Sequence, residues 1–172
     1  MAAGGSGTPL MSLRHRNARL FLPLLLVAVA VMPLRAQFSG VASPASASVI
    51  PKSALLQPEQ LHNQLQAHAT LLILQVGSKY LYQEAHIPGA EYAGPGSRPE
   101  GLAALRSRVQ RLPRNQPIVI YCGCCPWDRC PNIGPAWQLL HSMKFTNVRV
   151  LYLSNNFGSD WVGLGYDAEP SN

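Results

Sequence analysis

Outside one stretch of nine residues the chain has no cysteine, and its first 36 residues contain no aspartate or glutamate. It also lacks an apolar run of the roughly 20 residues that cross a bilayer comfortably. The run LFLPLLLVAVAVMPL, Leu20 to Leu34, is shorter than that and carries Pro23 and Pro33. Each absence removes a class of function. The short run argues against a retained membrane anchor, and the lack of a cysteine near residue 36 argues against an acylated lipoprotein. The missing acids explain the charge: four of the 14 Lys and Arg residues lie in residues 1–36, and the remainder holds 10 basic against 8 acidic residues, a net of +2 rather than +6. The overall basicity therefore says little about nucleic acid, and no nucleic-acid partner is expected. No internal repeat is present.

What the N-terminus does contain is ordered. Arg14, Arg16 and Arg19 precede the apolar run, and Arg35, Ala36 and Gln37 follow it. A basic start, an apolar stretch and a small residue at the end predict a signal peptide over residues 1–36, cleaved after Ala36. The protein is then exported, periplasmic or secreted, with no stable membrane insertion after cleavage. Residues 37–56, QFSGVASPASASVIPKSALL, are rich in Ser, Ala and Pro and predict a flexible linker. Residues 57–172 have the size of one small domain, expected to be a monomer.

Within that domain apolar periodicity alternates between two kinds. Pro58 to Ala69 suits a short helix with proline in its first turn and Leu61 and Leu65 on one face. TLLILQV, Thr70 to Val76, is a continuous apolar run of strand length, as expected for a strand buried on both faces. A polar stretch and the turn HIPGA, His86 to Ala90, come next. Leu102, Leu105, Val109 and Leu112 predict an amphipathic helix over 99–112. PIVIY, Pro117 to Tyr121, is a second buried strand; a helix over 133–143 and a strand over 148–153 follow. Strands alternating with helices predict an α/β fold of three layers, a mostly parallel central sheet with helices on both faces. Ligands in such sheets bind beyond the carboxyl ends of the strands.

The four cysteines, Cys122, Cys124, Cys125 and Cys130, sit at that end, in YCGCCPWDRCPN directly after the PIVIY strand. A cysteine between a strand end and a helix start faces unpaired backbone N–H groups and the positive end of the helix dipole, both of which favour the thiolate. Thiolate is the nucleophilic form, so the place suits sulfur chemistry.

The order of strand, HIPGA, helix, strand ending in Tyr121-Cys122, helix, then FTNVRVLYL and Trp161 before GLGY resembles a rhodanese-like (sulfurtransferase) domain. The resemblance covers essentially everything after the linker. It implies that Cys122 attacks the outer sulfur of a small sulfur-containing anion such as thiosulfate, carries it as a persulfide, and passes it to a thiol acceptor, with no cofactor. It further implies that loop backbone around Gly123, Cys124 and Cys125 cradles the donor and that Arg129, the only arginine in the loop, holds its charge.

The chain departs from the family pattern in three places. Gln75, Val76 and Gly77 stand where an Asp followed by Arg is usual. Asn155 and Asn156 replace a double glycine, as residues that enter left-handed backbone more readily than most. The loop is long, with six residues between Cys122 and Arg129 and four between Cys124 and Arg129, and neither matches the five that a phosphatase of this fold needs to wrap a phosphate.

Three readings of Cys124, Cys125 and Cys130 stay open. They can be redox or resolving thiols, with Cys122 and Cys125 as a CxxC pair. They can bind a soft metal, although zinc usually takes two separated pairs and no metal is expected here. Or they can rigidify the loop through disulfides. The enzyme therefore has rivals: a non-catalytic module that binds metal or a partner through these thiols, and a thiol–disulfide oxidoreductase. His86 is expected in a turn at the domain edge, Trp127 at the pocket mouth, Asp128 in solvent or orienting Arg129, and Trp137 and Trp161 in the core.

Overall fold

The computed structural model describes residues 49–171; the expected signal peptide, residues 1–36, and linker residues 37–48 lie outside the described residues. In chain order the elements are β1 (Leu55–Leu56), α1 (Pro58–Gln66), β2 (Leu72–Gln75), α2 (Lys79–Glu84), β3 (Glu91–Tyr92), α3 (Pro99–Val109), β4 (Ile118–Tyr121), α4 (Ile133–Ser142), β5 (Val148–Leu151) and α5 (Phe157–Asp160). The five strands form one sheet in the order β1-β5-β4-β2-β3, parallel at every pairing. Among the described residues no helix is long and apolar enough to cross a membrane.

Side-chain alternation along β4 divides the interior into two cores. Ile118 and Ile120 point to one face, where they join Leu105 and Val109 of α3 and Ile133, Ala136 and Leu140 of α4. Val119 and Tyr121 point to the other, against Leu61 of α1, Phe157 and Trp161. All four residues of β4 are buried, each stabilising the fold by about 1.5–3 kcal/mol. The flanking strands keep the same parity, with Leu74 and Val150 on the first face and Ile73 and Leu151 on the second. This is the three-layer α/β arrangement that the alternating periodicity predicts. Cys122 continues the parity of Ile118 and Ile120, so its side chain lies on the α3/α4 side.

Several elements begin or end away from the expected places. The last part of the stretch expected as linker is structured: Ile50 and Ala54 are buried, Lys52–Ala54 form a 3-10 turn, and Leu55 and Leu56 pair with Val150 and Leu151. Arg149 fixes this edge, donating from Nε and Nη2 to the carbonyls of Ala54 and Leu55. α2 has no counterpart in the sequence expectations because none of its residues is buried, so no apolar stripe marks it. Among the described non-glycine residues, positive φ occurs at His68 and Lys144, not at Asn155 or Asn156. Asn156 has extended backbone (φ −166°) and its side chain accepts from Ser159 N–H, capping α5. The asparagines therefore serve as cap and turn formers.

His86 lies deeper than the expected edge turn. It is 4 % exposed, its ring Nδ1 contacts the Tyr82 carbonyl at 2.8 Å, and its Nε2 lies 3.6 Å from Glu169. Its backbone pairs antiparallel with Glu169, tying the C-terminal segment to the domain. Trp137 and Trp161 are buried, as the sequence suggests.

Candidate active site

β4 ends at Tyr121, whose carbonyl accepts from Val76 N–H, so the chain enters the cysteine loop from a fixed point. Gly123 then takes φ +77°, a left-handed conformation that a side chain resists. A Cβ there would also stand 2.8 Å from the Cβ of Phe157, whose N–H donates to the Gly123 carbonyl. This turn folds the chain back, so that Cys124 faces Cys122 across a sulfur–sulfur distance of 2.9 Å, with Cys125 Sγ 3.3 Å beyond Cys124. Among the described residues no two cysteines are joined by a disulfide.

Two amides that sequence reasoning missed hold the cluster. Asn132 at the start of α4 is buried; its Nδ2 lies 3.2 Å from Cys122 Sγ and 3.6 Å from Cys124 Sγ, while its Oδ1 accepts from Ser97 N–H. Gln75, at the end of β2, donates from Nε2 to the Cys122 carbonyl at 3.0 Å and accepts at Oε1 from Gly77 N–H. A signal for Gln75 was present: a polar residue in a doubly buried strand must find partners. Gly77 completes the contact, since a Cβ there would stand 2.8 Å from both Cys122 Sγ and the Cys122 carbonyl oxygen.

The expectation that the helix start faces Cys122 needs correction. The backbone N–H groups of Asn132 and Ile133 are directed at the sulfur of Cys130, which is buried and packed into the α3/α4 core. Cys130 thus meets the positive end of α4, and Cys122 meets an amide side chain and the three other sulfurs. Arg129 is also not where the resemblance implies. The 3-10 turn Trp127–Arg129 swings its side chain outward; it is 77 % exposed, 4.0 Å from Asp128, and absent from the cleft lining.

Charge inside the cluster is set by hydrogen bonds between the sulfurs. Cys122 is buried, and hydrogen bonding to Cys124, Cys125 and Cys130, then burial, raises its thiol well above the ordinary range. Cys124 is half-buried and is lowered to about 4 by hydrogen bonds from Cys122 and Cys130. The first proton therefore leaves Cys124, and the Cys122 S–H donates to the resulting thiolate. In that state the short contact is an S–H···S hydrogen bond. The Cys122, Cys124 and Cys125 sulfurs lie within 4.8 Å of one another, close enough for one soft cation to touch all three. Yet thiolates around zinc, with metal–sulfur bonds near 2.3 Å, stand about 3.8 Å apart, so the 2.9 Å pair must separate by almost an ångström before such an ion fits.

A prediction follows for site-resolved alkylation with iodoacetamide. At pH 6 an ordinary thiol is only about 0.3 % thiolate, whereas one lowered to about 4 is almost wholly ionised. Lower basicity also lowers intrinsic nucleophilicity, by about a hundredfold over such a gap, so the signature is the pH profile and not the absolute rate. The Cys124 rate should change less than about twofold between roughly pH 5.5 and pH 8. A tenfold rise per unit would contradict the assignment.

Cys122 and Cys124 border a cleft of about 470 Å³ that is also lined by Gln75, Tyr121, Gly123 and Phe157 among others. Glu84 stands in its wall, and neither lysine nor arginine lines it. The N–H groups of Gly123, Cys124 and Cys125 take no part in backbone hydrogen bonds among the described residues, which leaves them available to an anion. Trp127 packs on Tyr152 at 5.3 Å between ring centroids, on the side of the loop that also carries Cys125 and Cys130.

The profile of the family described as "Rhodanese-like domain" matches residues 57–154. No curated protein matches the chain. Among solved structures, a protein from Bacillus halodurans superposes with a TM-score of 0.54 at 20 % identity, covering 69 % of this chain and 77 % of that one. The rhodanese-like domain of an Anabaena protein gives 0.51 at 22 % identity, covering 69 % and 80 %. A thiosulfate sulfurtransferase from Pseudomonas aeruginosa gives 0.52 at 24 % identity, covering 69 % of this chain and 20 % of that one. At these identities the structures share a fold with this chain.

Proposed function

This chain belongs to the rhodanese-like domain family, and on that premise we propose that it is a sulfurtransferase in which Cys122 carries sulfane sulfur as a persulfide. The observation that carries this reading is the place of Cys122: at the carboxyl end of the central strand, held by Gln75 and Asn132, with its sulfur at a cleft and a second sulfur 2.9 Å away. Cys122 rests as a thiol, so attack needs a base; Cys124 is in contact to take the proton, in an uphill transfer that is completed only as the new sulfur–sulfur bond forms. The Cys122 sulfur bonds to the outer sulfur of thiosulfate, the sulfur–sulfur bond of the donor breaks, and sulfite leaves. Loop N–H groups and the Asn132 amide support the charge in place of Arg129. The basic-then-apolar layout of residues 1–36 supports an exported protein.

Reduced protein incubated with thiosulfate should gain the mass of one sulfur atom or release one equivalent of sulfite per chain. If neither occurs, the persulfide reading is wrong.

The cleft wall also predicts a specificity. Glu84 repels a dianionic donor by about 1 kcal/mol, so Glu84→Gln should lower the KM for thiosulfate a few-fold at low ionic strength. That gain should vanish near 1 M salt, where screening is complete within a few ångströms. An unchanged or raised KM would show that the donor does not pass this carboxylate.

A further inference from the structure

We infer that Cys124 resolves the persulfide on Cys122, leaving a Cys122–Cys124 disulfide and releasing hydrosulfide, so that the protein reduces its sulfur donor instead of only passing the sulfur on. The inference rests on the persulfide reading above and deepens it. Two residues apart on an extended strand, side chains stand roughly 7 Å from each other; the left-handed turn at Gly123 brings these two sulfurs to 2.9 Å. A disulfide bond is about 2.05 Å long, so bonding requires the pair to close by less than an ångström. The alternative partners are less well placed. A Cys124–Cys125 bond joins neighbours and strains the geometry that a disulfide demands. Cys130 also touches Cys122, but backbone N–H groups at the start of α4 hold its sulfur in the core, away from the cleft.

The chemistry balances around one proton. At rest Cys122 holds it and Cys124 is a thiolate. As Cys122 bonds to the outer sulfur of thiosulfate, the proton crosses to Cys124 and sulfite departs. The anionic persulfide then draws the proton from Cys124 onto its outer sulfur. The restored Cys124 thiolate bonds to Cys122 Sγ, the bond between that atom and the outer sulfur breaks, and hydrosulfide leaves with the proton. Two electrons pass from the two cysteine sulfurs to the sulfane sulfur. A resident thiolate in contact has an effective concentration far above any millimolar acceptor in solution, so resolution outruns transfer to an external thiol. Restoring the dithiol requires an external dithiol reductant, through thiol–disulfide exchange. Such a reductant meets Cys124 first, since Cys124 is half-exposed and Cys122 is 4 % exposed.

The test is a single turnover of the purified chain, reduced, desalted and given excess thiosulfate without reductant. Wild type should release one sulfite and one hydrosulfide per chain, lose the mass of two hydrogens, and show a Cys122–Cys124 link by peptide mapping. Cys124→Ser should release sulfite more slowly, keep the added sulfur and release no hydrosulfide; its retained persulfide also proves that it folds. Cys125→Ser should still release one hydrosulfide for each sulfite and show the Cys122–Cys124 link, whatever its rate. If wild type releases sulfite but keeps the sulfur, self-resolution is overturned and the sulfurtransferase stands. If Cys125→Ser, and not Cys124→Ser, stops hydrosulfide release, the assignment to Cys124 is overturned. If no variant releases sulfite, the persulfide reading itself has failed.

Discussion

Cys122→Ser is expected to lower sulfite release from thiosulfate by about 10⁴-fold or more, since removing a covalent nucleophile leaves only what binding and loop dipoles contribute. The thermal midpoint should move little. The hydroxyl replaces a buried thiol whose neighbours, Asn132 Nδ2 at 3.2 Å and the Cys124 sulfur, already offer hydrogen bonds, so the folding cost is about 1 kcal/mol. The measurement is sulfite production at saturating thiosulfate, with mass analysis of the protein. Residual turnover within tenfold of wild type, with sulfur found on another cysteine, would show that the loop thiols are interchangeable and that the strand-end position is not decisive.

Gly96→Ala is expected to damage both the fold and the cysteine site. A Cβ at Gly96 would stand 2.1 Å from the Asn132 carbonyl oxygen and 3.0 Å from its carbonyl carbon, and both are backbone atoms that cannot rotate away. Either β3–α3 or the start of α4 must shift, at a cost of about 3 kcal/mol or more, or roughly 10 °C in Tm for a domain of this size. The movement reaches the active site because Asn132 is both the obstacle and the residue whose amide contacts Cys122 and Cys124. Activity at a temperature where the variant is still folded should therefore fall as well. Gly89→Ala is the control. Its φ is +75° but nothing lies within 4 Å of a Cβ there, so it should cost only about 1–2 kcal/mol of backbone strain and leave turnover intact. Equal losses in the two variants would mean that the Gly96–Asn132 contact is not what fixes the site.

The parts of this site written in long, regular patterns are legible in the sequence. PIVIY is apolar at every position, which marks a strand covered on both faces, and Cys122 follows it directly, so the place of this cysteine at the strand's carboxyl end can be read from the sequence. What spacing does not supply is direction. Arg129 has the right residue type in the right loop, but the turn that starts at Pro126 points it into solvent. Cys122 and Cys125 form the familiar CxxC interval, yet the left-handed Gly123 makes Cys124 the nearer partner. Gln75 looks like a departure from the family's usual acid, and in three dimensions it secures the Cys122 carbonyl. Short elements are the other gap: β3 has two residues and α2 buries none, so neither leaves a period to detect.

The packing of Trp127 has an optical consequence. Its indole sits within the loop, stacked obliquely on Tyr152 and bordering the same small space as Cys122, Cys125 and Cys130. Trp137 and Trp161 are buried in separate cores and do not border that space. Disulfides quench indole emission on contact and thiols do so less, so oxidation of a sulfur bordering this space is expected to change Trp127 emission. The proposed cycle is then expected to be visible by fluorescence, without a label, with Trp127→Phe as the reference.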